Sequence, residues 1–283
     1  MKVLFISDFT IDQAPGGAQI SNSLIIQEGR KRGYDIIEHC HSSSITDFFS
    51  HYDLVINSNL EFITKMFPEK LQLIKKLPNS IRLEHDSCHY LEELDRRDLF
   101  QNCKKTFFLS EYHHSFFQEL YGDYFENVEI VYDPINTNIF KKRDCEKEYD
   151  VVYCGYLHPQ KGVSNLVNFS KNNPNRKIEI FGMSDYYNRA DFDQYSNINY
   201  HNVWKEACEV AEIFQKCNSV FHSPLVREPF CRMISEAILC GVPEIIGDTS
   251  KIGSYLEFEK VGYDQFKNRC ENAASEFWNK ALS

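Results

Sequence analysis

Short apolar strands that alternate with longer helical stretches predict an α/β protein built from two Rossmann-like halves with parallel sheets. Three observations carry this reading. The chain opens on Lys2-Val-Leu-Phe-Ile-Ser7, passes a loop containing Pro15-Gly16-Gly17, and continues with Ile20, Leu24 and Ile25 at helical spacing up to Gly33. Strand, glycine turn and helix form the first unit of a nucleotide-binding fold, with helix N-terminal amides open to an anion. A second such start lies at Asp150-Val-Val-Tyr-Cys154, followed by Gly155 to Gly162 and a helix pattern from Val163. Between them, Asp133 to Phe140 and the charged run Lys141 to Glu148 read as a linker. The Gly16-Gly17 spacing is not G-x-G-x-x-G, which disfavours a nicotinamide or flavin dehydrogenase.

The elements follow in order. In the first half, apolar runs place strands at 2–7, 34–38, 53–57, 80–84, 106–109 and 128–132; in the second, at 150–154, 177–181, 219–222 and 243–246. Helical spacing is expected near 162–172, 205–216 and 231–240, and the last pattern, Tyr263 to Leu282, reads as a helix. The stretch Leu60 to Leu77 sets Phe62, Ile63, Phe67, Leu71, Leu73 and Ile74 against Lys65, Lys70, Lys75 and Lys76. It reads either as a core-packing helix with solvated lysines, interrupted at Pro68, or as a basic amphipathic face making a weak peripheral membrane contact.

Composition narrows the function classes. A net charge of -10 in 283 residues argues against a nucleic-acid partner, since phosphate backbones demand a basic footprint. Ten cysteines without C-x-x-C pairs, in a chain much too large for a disulfide scaffold, suit reduced thiols in the cytoplasm. The apolar run after Met1 ends at Asp8, too short for a signal peptide or a spanning helix.

The segment that carries chemistry is Arg227 to Ala237, R-E-P-F-C-R-M-I-S-E-A. Pro229 suits a first helical turn, which leaves Glu228 in the loop that delivers the helix and Glu236 a turn or two inside it. Between the two carboxylates, the backbone amides of Phe230 and Cys231 and the guanidinium of Arg232 suit a phosphate or pyrophosphate. Anion donors flanked by two hydroxyl-seeking carboxylates suggest a sugar nucleotide.

This segment resembles the glutamate-seven-residue-glutamate signature of retaining GT-B glycosyltransferases, the large family of group 1 glycosyl transferases that includes mannosyl- and glucosyltransferases. Glu228, Pro229, Phe230, Arg232, Glu236, Ala237, Gly241 and Pro243 match its wording, while Cys231 stands in the place of a glycine. Gly155 to Gly162 is similar to the family's G-R-x-x-x-x-K-G: Lys161 is present, and Tyr156 occupies the arginine position.

The resemblance implies a GT-B architecture. Residues 1–140 would form an acceptor-side domain and 149–263 the donor domain, with a final helix, 264–283, crossing back onto the first. It implies transfer of a hexosyl group from a nucleoside diphosphate sugar, such as a UDP- or GDP-hexose, to a hydroxyl acceptor on a saccharide, glycolipid or glycan, with retention. Lys161 and Arg232 would balance the departing diphosphate, Glu236 would take the ribose hydroxyls, and Glu228 the sugar. Gly16 and Gly17 correspond to the family's glycine pair facing donor phosphate and sugar. His85, at the carboxyl end of a strand, corresponds to a histidine directed at the donor sugar.

No cofactor and no metal are expected, and Asp191-Phe-Asp193 reads as a polar surface turn because no buried strand precedes it. Two alternatives share the fold: a sugar-nucleotide-binding module without transfer, suggested by Tyr156 and Cys231, and a nucleotide-sugar epimerase.

Overall fold

The computed structural model describes residues 1–87, 97–100, 102–122, 124–125 and 127–283, with backbone alone at 97–98. The chain divides into two compact units, Met1–Pro134 with Glu271–Ser283, and Ile135–Cys270.

In the first unit, β1 (Lys2–Ser7), β2 (Asp35–His39), β3 (Leu54–Ser58), β4 (Ser80–Leu83), β5 (Cys103–Phe108) and β6 (Val128–Ile130) form one sheet in the order β2-β1-β3-β4-β5-β6. Every pairing is parallel. Val3, Leu4, Phe5 and Ile6 are all buried, as expected of a parallel strand covered on both faces. The helices α1 (Gly17–Lys31), α2 (Glu61–Met66), α3 (Pro68–Ile74), α4 (Arg97–Phe100) and α5 (Glu111–Tyr121) connect these strands. The side chain of Ser110 caps α5 by accepting from the His113 amide at 2.9 Å.

Residues 271–283 complete this unit. Trp278, fully buried, donates from Nε1 to the Ile25 carbonyl at 2.8 Å, and Arg32 bonds to Asn279 and Ser275. A side chain at Gly29 would overlap the Trp278 ring, so α1 needs a glycine there to let the indole dock.

The expectation for Leu60–Leu77, a core-packing helix interrupted at Pro68, holds at the proline and fails at Lys70. Pro68 disfavours helical backbone at Phe67, whose φ of -135° and ψ of 61° separate α2 from α3. Lys70, counted among the solvated lysines, is buried: its ammonium donates to the carbonyls of Cys40, His41 and Ser43 at 3.2, 2.7 and 2.9 Å. A basic face built from 65, 70, 75 and 76 therefore does not exist. No helix among the described residues is long and apolar enough to cross a membrane.

The second unit holds β7 (Tyr149–Cys154), β8 (Ile178–Phe181), β9 (Ile198–Tyr200), β10 (Cys217–Phe221) and β11 (Glu244–Ile246), all parallel, in the order β11-β10-β7-β8-β9. The sheet has one strand more than the sequence pattern predicts; β9 is three residues long, with Asn199 at its centre. Its helices are α6 (Val163–Asn172), α7 (Ala207–Lys216), α8 (Arg232–Cys240) and the part of α9 (Gly253–Leu282) up to Cys270, bent at Gly262, where φ is 75°.

Asp8, just past β1, makes the stability of this unit depend on pH. Its carboxyl oxygens accept from the amides of Phe62 and Ile63 at 3.0 and 2.8 Å, at the start of α2. Burial, and then the neighbouring charge of Glu61, push its pKa from 3.8 up to about 7. A carboxyl whose folded pKa exceeds its unfolded value favours folding fully below the unfolded pKa and loses that contribution as pH rises through the folded one. The stability of Asp8→Asn relative to wild type is thus expected to rise between pH 4 and pH 7.5 in urea unfolding; parallel pH curves for the two proteins would refute this role.

Candidate active site

In the second sheet the strand order reverses between β7 and β10, the place where open α/β sheets bind ligands at the carboxyl ends of their strands. Both segments singled out from the sequence leave the sheet there.

After β7 the chain runs through Gly155, whose φ of 143° suits glycine, to a short 3-10 turn, Pro159–Lys161, capped by His158, whose ring nitrogen faces the Gln160 amide at 3.2 Å. Gly162 ends this turn at φ 80° and starts α6. A Cβ at Gly162 would overlap the carbonyl oxygen of Ser223, just beyond β10. On the other side of the same segment Gly247, at φ 130°, lies against the His222 carbonyl. Two glycines thus let neighbouring loops close onto His222-Ser223.

After β10 the loop reaches Glu228, which is fixed by its backbone. Its amide donates to Lys251 at 2.8 Å and its carbonyl accepts from Gly253 at 3.0 Å, a one-residue parallel bridge beside Ile252. Its side chain, 6% exposed, meets the Lys161 ammonium at 3.0 Å and His222 Nε2 at 2.9 Å through a single oxygen, Oε1. Burial opposes the carboxylate's charge, but Lys161 and then His222 overcome it and hold the group well below the usual carboxylate range. The structure therefore brings Glu228 and Lys161 together and adds His222, which the sequence reading did not single out.

Cys231 is the N-cap of α8 and takes φ 62° and ψ 87°. That left-handed conformation is what a glycine supplies without strain. Burial pushes its thiol pKa well up. Phe230 turns inward, 1% exposed and stacked on Phe266 at 6.1 Å, so only its backbone is placed to serve a site. Arg232 opens α8 and pairs with Glu236 one turn on, at 3.3 Å, with both side chains largely buried. Tyr156 is 40% exposed, and its hydroxyl donates to Asp185 at 2.8 Å.

Gly16, Gly17 and His85 belong to the first unit. Gly16 is the N-cap of α1 and Gly17 its first residue. His85 follows β4 and is held on both ring nitrogens: Nε2 lies 3.0 Å from Asn22 Oδ1 on α1, and Nδ1 lies 3.5 Å from Asp133. Asn22 and Asp133 carried no sequence signal. Asp191 is used locally, accepting from the Asn188 amide at 2.8 Å to cap a 3-10 turn.

A parallel sheet wound in this order, with an ion pair at its switch point, gives the second unit the doubly wound form of a Rossmann-like domain. More specifically, residues 135–275 match the family of glycosyl transferases group 1. Across the chain the fold is the two-domain GT-B fold. Sucrose-phosphate synthase from Thermosynechococcus elongatus superposes with a TM-score of 0.70 at 11% identity over 100% of this chain and 96% of that one. HepE of Anabaena, solved in complex with UDP-glucose, superposes at 0.66 and 14% identity over 100% and 96%. An alpha-glucosyltransferase in complex with UDP and a 13-mer DNA gives 0.59 at 9% identity over 100% of both. No curated protein matches the chain in sequence.

Proposed function

We propose that this protein is a retaining, metal-independent glycosyltransferase that moves a hexosyl group from a nucleoside diphosphate sugar to a hydroxyl acceptor. The observation that carries the reading is the buried Glu228 carboxylate, kept ionised between Lys161 and His222 at the switch point of a group 1 domain. Similarity to HepE, solved with UDP-glucose, and to a glucosyltransferase solved with UDP favours a UDP-hexose donor.

An incoming diphosphate competes with Glu228 for Lys161, drawing the ammonium onto the leaving group and freeing the carboxylate for donor-sugar hydroxyls. Arg232 adds a second cation at the start of α8, and Glu236 accepts from the ribose hydroxyls. In the transfer step the bond between the anomeric carbon and the phosphate oxygen breaks. The acceptor oxygen bonds to that carbon from the same face, and the acceptor proton passes to the departing phosphate. The growing charge on the diphosphate is met by groups already in place, which is where electrostatic catalysis is most effective.

Tyr156 and Cys231, which replace an arginine and a glycine of the family pattern, favour a second reading, a binding module without transfer. One assay separates the two. Purified protein incubated with a panel of UDP- and GDP-sugars is expected to release sugar slowly to water with its anomeric configuration kept, and to do so equally in EDTA. Inversion would overturn retention, and a loss in EDTA restored by a divalent ion would overturn metal independence. Donor binding without release would establish the module, and epimerised donor an epimerase.

A further inference from the structure

We propose that His222, Glu228 and Cys231 form a binding site for a soft divalent cation of the zinc class, which blocks donor binding by taking Glu228 away from Lys161. The blocking half rests on the function proposed above; the site itself does not.

One ligand atom from each of the three residues lies within 4.8 Å of the other two. A cation that draws these atoms together would hold an imidazole nitrogen, a carboxylate oxygen and a thiolate at about 2.0–2.3 Å, the distances zinc takes with these ligands. Three protein ligands leave a fourth position for water, as in open zinc sites. A thiolate and an imidazole select such a cation over magnesium or calcium, which prefer all-oxygen shells.

Two features of this chain favour ligation over a purely structural role. With His222 Nε2 on Glu228, the other ring nitrogen, Nδ1, is buried without a hydrogen-bond partner. A proton moved to that unpartnered Nδ1 bares the Nε2 lone pair on the edge that faces Glu228. Cys231, for its part, sits at a left-handed backbone angle that strains an L-residue and costs a glycine almost nothing. What the cysteine adds at that position is a sulfur atom beside Glu228. Occupancy releases the thiol proton to solvent and turns out the Lys161 ammonium, whose side chain is 37% exposed and can swing into water.

Cobalt(II) is the probe. Metal-stripped protein titrated with it is expected to develop the near-ultraviolet absorption of a cobalt–thiolate bond, competed by zinc and not by magnesium. Cys231→Gly, which the positive φ favours and whose folding a melting curve checks, should abolish the band. It should also weaken cobalt binding at least about 100-fold, since even outer-shell changes cost 10–100-fold. Absence of the band, or an equal band in Cys231→Gly, overturns the site. Zinc should also weaken binding of a UDP-sugar to the wild type; unchanged donor binding overturns the block. Donor turnover in EDTA tests the transferase reading separately, so a cobalt band without turnover, or turnover without a band, tells which of the two fails.

Discussion

Replacing Glu228 by glutamine is expected to lower sugar transfer on the order of 10²- to 10³-fold, the loss that follows removal of one preorganised electrostatic group from an active site. Glutamine keeps the shape of the side chain and an oxygen for His222, but it removes the charge that Lys161 balances. The ammonium then loses the carboxylate that it meets before the donor arrives. Because Glu228 also takes donor-sugar hydroxyls, the fall should appear both in kcat and in KM for the donor. Steady-state kinetics with the best donor of the panel decides the matter: a glutamine variant at the wild-type rate would show that the buried carboxylate is only structural.

The second large effect is on stability, at Gly162. Alanine there adds a Cβ at φ 80° that would overlap the Ser223 carbonyl oxygen, which is backbone and cannot rotate away. Strain and overlap together are expected to cost about 3 kcal/mol or more, at the upper end of single substitutions. For a unit of this size that is a fall of roughly 10 °C in melting temperature. Cys231→Gly should move the melt the other way, by about 1 kcal/mol, because it relieves a left-handed L-residue. Calorimetry on the pair therefore reads the same backbone rule with opposite signs. An unchanged melt for Gly162→Ala would mean that the β7 and β10 loops do not pack as described.

The fold class was legible because parallel strands, buried on both faces, appear as continuous apolar runs such as Val3 to Ile6 and Val151 to Cys154. β9 escaped because three residues centred on Asn199 make no such run. Lys161 and Glu228 were visible through motif spacing, whereas His222 was not: a single histidine six residues before Glu228 has no pattern of its own. Its signal is positional, a polar residue directly after the apolar end of β10, and it acquires meaning only once the sheet order puts that strand at the switch point. Lys70 was misread because periodicity assigns a long charged side chain to solvent. Three carbonyl oxygens brought together from residues 40–43 hold it inside instead, and no local pattern encodes that. The left-handed angle of Cys231 was readable in principle, since a position that a family fills with glycine is often one that needs positive φ.

Trp278 has a consequence for how the chain is made. The indole that closes over α1 lies in the stretch 271–283, which is synthesised only after all of Ile135–Cys270. At ribosomal speeds of 5–20 residues per second the interval is on the order of ten seconds. Throughout it, Gly29 and the Ile25 carbonyl on α1 face no indole, and the sheet beneath them is a partly covered apolar surface. The unit translated first is thus completed last, reversing the usual N-terminal-first order, and the nascent chain must keep that helix face from wrong partners until Trp278 emerges.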